Sequence, residues 1–207
     1  EQEIAILFAD IRGFTTFSEQ KLPYDVVFVL NRYFRSMGEA IEQAGGRVDK
    51  FIGDGIMALF GVDGSAADGA TSALLAAQGM SAQLDELNRL LEADLPSPLR
   101  IGIGIHIGPA IVGEMGYGPA ISVTAIGDTV NTAARLEAKT KDFGAQLIVS
   151  EQLSEIGKLD TGDLRREEIE VRGRREPMSI YVFDDAKELD GRFGDSRKLR
   201  DAQPASA

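Results

Sequence analysis

With 207 residues, 43% of them hydrophobic and 27% charged, the chain can bury one sizeable core, and wholesale disorder is excluded. A formal net charge of -11 offers no basic stripe of the kind a phosphate-backbone binder needs, so nucleic acid is not an expected partner. The absence of cysteine removes disulfides, thiolate metal sites and cysteine nucleophiles together.

Residues 4–10 are apolar without alternation until Asp10, the pattern of a fully buried strand. Because the chain opens directly into that strand, an upstream sensor, linker or membrane anchor is expected. Ile11-Arg12-Gly13 turns into a short helix over 14–20, with Thr15 or Thr16 as its cap. A long helix is predicted over 23–44, where Val26, Val27, Leu30, Phe34, Met37 and Ile41 recur at three and four; Pro23 suits its first turn and Gly45-Gly46 its end. Two short strands, 47–51 and 56–60, flank a Gly53-Asp54-Gly55 tip and read as a hairpin. A second long helix covers 66–93, and a strand runs from Leu99 to Ile107 and resumes after Pro109. Gly116 to Pro119 is a turn-rich excursion from which Ile121–Ile126 returns as a strand. Asp128 caps a helix to about Asp142; a strand at 145–149, a short helix at 151–156 and a hairpin of 164–172 with 178–184 complete the core. From 186 to 207 the chain is polar and reads as a flexible tail. Helices expected on one face and hairpins within the chain make this an α+β fold in a single domain, 1–185. No apolar run reaches the roughly eighteen residues that a membrane span requires.

Two carboxylates stand at strand ends, Asp10 and Asp54. If the first strand lies beside the hairpin, both face one cleft, where a divalent cation such as Mg²⁺ would offset their repulsion. The segment Ile11 to Thr16 enters a helix, and its backbone N–H groups can hold a triphosphate. Asn131 and Arg135 lie one helical turn apart, either as a phosphate-gripping pair or as surface residues. The cluster of Arg172, Arg174 and Arg175 is open to two readings, a solvated hairpin or a phosphate contact. Gly102, Gly104 and Gly108 lie inside an apolar strand followed by Pro109, so they are not a dinucleotide fingerprint; close packing against a helix or a partner backbone is the expected role. His106, the single histidine, is read as structural.

Three segments carry a resemblance. Phe8-Ala9-Asp10-Ile11-Arg12-Gly13-Phe14-Thr15, Asp49-Lys50-Phe51-Ile52-Gly53-Asp54-Gly55 and Thr124-Ala125-Ile126-Gly127-Asp128-Thr129-Val130-Asn131-Thr132-Ala133-Ala134-Arg135-Leu136 resemble, in order, motifs of the class III adenylate and guanylate cyclases. Val171-Arg172-Gly173-Arg174 with Pro177 and Tyr181 is similar to the closing hairpin, so the likeness spans about residues 3–184. It implies a ferredoxin-like core with a mixed, mainly antiparallel sheet flanked by helices, and active sites at a head-to-tail homodimer interface. Asp10, Asp54 and the backbone of Ile11 would hold two cations, Mg²⁺ or Mn²⁺. Phe14 and Thr15 would lie at the substrate, and Lys50 and Thr124 would select the purine. Asn131 and Arg135 would serve the transition state of the opposite subunit, and Arg172 or Arg174 would contact the terminal phosphates.

The implied reaction is conversion of ATP to cyclic AMP and pyrophosphate by a cytoplasmic catalytic domain, whose full-length protein is membrane-anchored or not. Lys50 as donor to adenine N1 and Thr124 as acceptor from the 6-amino group argue for ATP over GTP. Thr124 also resembles a subclass linked to bicarbonate stimulation. Where some relatives have an arginine, this chain has Gly102, and Arg100 is the expected substitute on the same strand face. Guanylate cyclase and a catalytically silent nucleotide-sensing or dimerisation module are the rival readings.

Overall fold

The computed structural model describes residues 1–171 and 176–193. The strands are β1 (Gln2–Ile11), β2 (Arg47–Ile52), β3 (Gly55–Phe60), β4 (Ile101–Met115), β5 (Ser122–Ile126), β6 (Leu147–Ser150), β7 (Arg165–Ile169) and β8 (Met178–Phe183). The helices are α1 (Phe14–Gln20), α2 (Pro23–Gln43), α3 (Ala66–Leu90), α4 (Asp128–Phe143) and α5 (Glu151–Ile156). The strands join in one sheet in the order β2-β3-β1-β4-β6-β8-β7, with β5 paired to the far end of β4. β4 and β6 run parallel and the other pairs are antiparallel. The architecture is the expected α+β fold with a mixed, mainly antiparallel sheet flanked by helices.

Strand alternation sorts the core into faces. Ala5, Leu7, Ala9, Ile11, Ile56, Ala58, Phe60 and the odd residues Ile101 to Ile107 point to one side and meet α2 and α3. Ile4, Ile6, Met57 and Leu59 point to the other, where they pack with Ala110, Ala125 and Ala133. The helices are therefore not segregated to one face as the sequence order led us to expect: α2 and α3 cover one side and α4 the other. The expected stripe of α2 meets the core through Leu30, Phe34, Met37 and Ile41, but it is wider than the periodicity indicated. Val29, Tyr33, Met37, Ala40 and Ile41 are its buried residues, while Val27 is 56% exposed.

The glycines of β4 admit α4. A Cβ on Gly104 would fall against the Glu137 amide nitrogen and lie 2.6 Å from the Ala133 carbonyl oxygen, so strand and helix meet backbone to backbone. One on Gly108 would lie 2.9 Å from Thr129 Oγ1. This is the close packing expected of the stripe. His106, on the same face and 1% exposed, pairs through Nδ1 with Ser150 Oγ at 2.9 Å, a structural position.

Three local expectations are revised. Thr15 and Thr16 lie inside α1 rather than capping it; Gly13 precedes the helix at φ 68 with no side-chain cap, a conformation that glycine adopts at little cost. Asp128 is the first residue of α4, after Gly127 at φ 144. The chain also stays packed beyond residue 185, since Ala186–Leu189 forms a short 3-10 helix with Ala186 and Leu189 fully buried. Residues 194–207 of the expected tail lie outside the described residues. Among the described residues, no helix is long and apolar enough to cross a membrane.

Candidate active site

Pairing of β1 with β3, Ala9 opposite Ile56, sets Asp10 beside the Gly53-Asp54 tip of the β2–β3 hairpin. The two carboxyl groups interact. Burial first, then a hydrogen bond with Asp54 and the negative charges of Asp54 and Glu137, raise the Asp10 pKa from 3.8 to about 7. The Ile11 N–H, which donates to Asp10 Oδ1 at 3.0 Å, works in the opposite direction. Two half-buried carboxyls set side by side at strand ends suit a hard cation, which would offset their repulsion. Among the described residues, no group of three or more His, Cys, Asp or Glu gathers to hold an ion alone. Substrate phosphates and water would have to complete any shell that Asp10, Asp54 and the Ile11 backbone begin.

Arg12 and Glu137 complete this neighbourhood, and neither was assigned a role from the sequence. Asp10 pairs across the sheet with Gly102, whose missing side chain leaves space for the Arg12 guanidinium; a Cβ there would lie 2.6 Å from Arg12 Cζ. Arg12, not Arg100, thus fills the position over Gly102. Arg100 contributes its carbonyl, which accepts from the Arg12 N–H at 2.7 Å. Arg12 Nη1 stands 3.8 Å from Glu137 Oε1, yet these two atoms and Arg12 Nη2 are buried without a hydrogen-bond partner. Burial raises the Glu137 pKa, against the pull of Arg12 and Lys141. A glycine opposite a strand-end aspartate is the signal that marks such a space, but it becomes readable only once the register is known.

Lys50 and Thr124 come from β2 and β5, yet they meet at one carboxylate. Thr124 Oγ1–H donates to Asp49 Oδ2 at 2.7 Å, and Lys50 Nζ lies 3.4 Å from the same oxygen. Thr124 is 6% exposed, while the Lys50 side chain is open to solvent.

Asn131 and Arg135 share the outer side of α4. Asn131 is exposed; Arg135 is half-buried, and its Nη1 is buried without a hydrogen-bond partner. Glu137, two residues on, lies about 200° around the helix and faces the Asp10 side. Within one subunit, Arg135 therefore leaves α4 on the other side from Glu137. Phe14 is half-buried against Phe17, with ring centroids 5.8 Å apart, and Thr15 is exposed; both follow directly from the Asp10 segment. Arg172 and Arg174 lie outside the described residues.

Comparison with known proteins gives a consistent picture. A sequence profile of the adenylate and guanylate cyclase catalytic domain matches residues 1–185. An adenylate cyclase of Anabaena cylindrica is 38% identical over 87% of this chain, and one of Dictyostelium discoideum, terminal-differentiation specific, is 34% identical over 96%. The chain spans only 36% and 9% of the length of those relatives. Among solved structures, the guanylyl cyclase Cya2 superposes with a TM-score of 0.79 at 32% identity, covering 93% of this chain and 96% of that one. The adenylyl cyclase CyaB from P. aeruginosa gives 0.76 at 29% identity, covering 87% and 93%.

Proposed function

Because this chain belongs to the adenylate and guanylate cyclase catalytic domain family, we propose that it converts ATP to 3′,5′-cyclic AMP and pyrophosphate in sites shared by two copies. Relatives of both nucleotide specificities match it, so the choice of ATP rests on its own residues. The observation that carries it is the convergence of Lys50 Nζ and Thr124 Oγ1 on Asp49. An ammonium donor and a hydroxyl able to accept are thereby set side by side. Adenine offers an acceptor at N1 and a donor at the 6-amino group, which matches that order; guanine offers the reverse.

In the reaction, the ribose 3′-oxygen bonds to the α-phosphorus while the bond from phosphorus to the bridging oxygen of pyrophosphate breaks. The hydroxyl proton passes to water or to a phosphate oxygen. Asp10 and Asp54, with the Ile11 backbone, would hold the two divalent cations. Held there, cations would lower the cost of negative charge on the attacking oxygen and the triphosphate. Arg135 would bring a guanidinium, whose N–H donors suit charge that builds on the α-phosphate. Asn131, exposed one turn earlier on the same side, would orient the ribose.

The side of α4 that carries Arg135 supports a homodimer. Leaving α4 on the other side from Glu137, it would act on a site supplied by another copy, and a two-fold arrangement would make two equivalent sites. The β4–β5 arm is available for such contact, with Ile111 55%, Tyr117 91%, Ile121 53% and Ile126 50% exposed. The test of substrate choice is kcat/KM for ATP and GTP, scoring cyclic product and pyrophosphate with Mg²⁺ or Mn²⁺. A higher value for ATP is expected; equal values or a GTP preference would reject the adenylate assignment.

A further inference from the structure

Building on the reading of Lys50 and Thr124 as the purine-facing pair, we propose that Asp49 is the positioning residue that fixes nucleotide choice, by holding Thr124 as a hydrogen-bond acceptor. The β2–β3 pairing shifts between Val48, opposite Ala58, and Lys50, opposite Met57, so Asp49 is an extra residue in the strand. A bulge re-aims the side chain it carries. The Asp49 side chain is fully buried, although its neighbour Lys50 is largely exposed. One of its oxygens, Oδ2, meets both Thr124 Oγ1 and Lys50 Nζ, and the other, Oδ1, is buried with no partner.

The chemistry lies in the single hydrogen of a threonine hydroxyl. Threonine has one hydrogen to donate and two lone pairs to accept with, and a free hydroxyl rotates to suit either a 6-amino or a 6-oxo purine. Asp49 takes that hydrogen. Only lone pairs remain toward the substrate, so a 6-amino group is bonded while a 6-oxo group meets acceptor against acceptor and stays unpaired. The same carboxylate attracts the Lys50 ammonium, which still has hydrogens left for a ring nitrogen. Asparagine at position 49 keeps the shape but supplies an amide donor that can bond Thr124 from the other side. The threonine hydrogen is then free to meet a 6-oxo group.

The experiment compares kcat/KM for ATP and for inosine triphosphate, whose base differs from adenine only by the 6-oxo group and the N1 proton. Wild type, Asp49→Asn, Asp49→Ala, Thr124→Val and the Asp49→Asn/Thr124→Val double variant are measured. Wild type is expected to prefer ATP, and Asp49→Asn to lower the ATP-to-inosine ratio about 10–100-fold, the worth of one buried hydrogen bond gained or lost. In the Thr124→Val background, Asp49→Asn should change the ratio no further. Damage to the fold alone would reduce both substrates together and leave the ratio in place. Should Asp49→Asn fail to fold, Asp49→Ala, which also removes the unpartnered oxygen, gives the same reading. An unchanged ratio in the folded Asp49 variants, or an equal drop with and without Thr124, overturns the role of Asp49. A wild type indifferent to the 6-substituent overturns the purine-pair reading itself.

Discussion

Gly104→Ala tests whether the approach of β4 to α4 sets the geometry of the site. The new methyl would meet the Glu137 amide nitrogen and the Ala133 carbonyl, which belong to the helix backbone and cannot swing aside as a side-chain tip can. Overpacking of a dense interior costs about 1–3 kcal/mol, and rigid neighbours put this case at the upper end. Restricting the unfolded chain returns only about 0.4–1 kcal/mol. The net is a loss of roughly 2 kcal/mol, which for a chain of this size lowers Tm by about 4–8 °C. The helix that must move carries Asn131 and Arg135, and a displacement near 1 Å can cost about 100-fold in rate. The expected result is a moderate stability loss with a kcat fall of one to two orders of magnitude, larger than any change in KM. Gly38→Ala is the control: inside α2, its Cβ would find only Val48 at 3.9 Å, so helix propensity should raise stability by about 1 kcal/mol. Scanning calorimetry and steady-state kinetics read both variants. A Gly104→Ala protein with wild-type Tm and kcat would refute the packing argument.

Asp10→Asn should stabilise the metal-free protein at high pH while abolishing cyclisation. The folded-state pKa of about 7 exceeds the ordinary 3.8, so the Asp10 contribution favours folding below about pH 4 and is lost as pH rises through 7. At about 1.4 kcal/mol per tenfold change in proton affinity the ceiling is near 4 kcal/mol, and solvent screening of this half-buried group reduces it to about 1–2 kcal/mol. Urea unfolding with a chelator at pH 5 and pH 8 checks it: a mutant advantage larger at pH 8 than at pH 5 is expected, and no advantage at pH 8 would contradict the crowded-carboxyl reading. Asp54→Asn and Arg135→Ala should each be nearly inactive, yet when mixed should recover about one quarter of wild-type activity, because half of randomly paired dimers keep one intact site. No recovery despite demonstrated heterodimers would rule out shared sites. Bicarbonate is expected to raise activity through the resemblance at Thr124, and a titration against a chloride control at fixed pH decides it.

Most elements were legible because their signals are local. The unbroken apolar run before Asp10, the period of α2 and the Gly53-Asp54-Gly55 tip each follow from neighbours within one segment. The side of the sheet that α4 occupies was not legible, because an amphipathic helix declares which of its faces is buried and not which sheet face buries it. The Asp49 bulge was hidden for a related reason: a register shift is fixed by the partner strand, here β3. Arg12 over Gly102 required both the β1–β4 register and the position of α4, so alternation alone selected Arg100. The packed stretch Ala186–Leu189 was masked by charge, since Lys187 and Glu188 sit between the two residues that go into the core.

The two sides of α4 now have different destinations. Glu137 reaches inward to Arg12 and the Asp10 segment of its own subunit, while Arg135, about 200° away on an ideal helix, is the residue we propose to serve the partner's site. Damage at Glu137 can then act in two ways, by altering the charge beside its own Asp10 or by shifting α4 and with it Arg135. Mixing separates them. Glu137→Gln in one copy and Arg135→Ala in the other leave one site of the heterodimer with intact Asp10, Asp54, Glu137 and Arg135 side chains. That site draws its Arg135 from the helix that carries the Glu137→Gln change. If Glu137 works only through charge on its own Asp10, the mixture should gain about one quarter of wild-type activity beyond what the parent homodimers supply, as two equivalent sites require. If Glu137 holds α4 in place, that Arg135 is displaced and recovery fails. The close backbone contact at Gly104 favours the first outcome, because the helix is already seated by Ala133 and the Glu137 main chain without help from the carboxylate. Failure to recover, with heterodimers demonstrated, would mean that the Arg12–Glu137 pair and not the glycine stripe sets the position of α4.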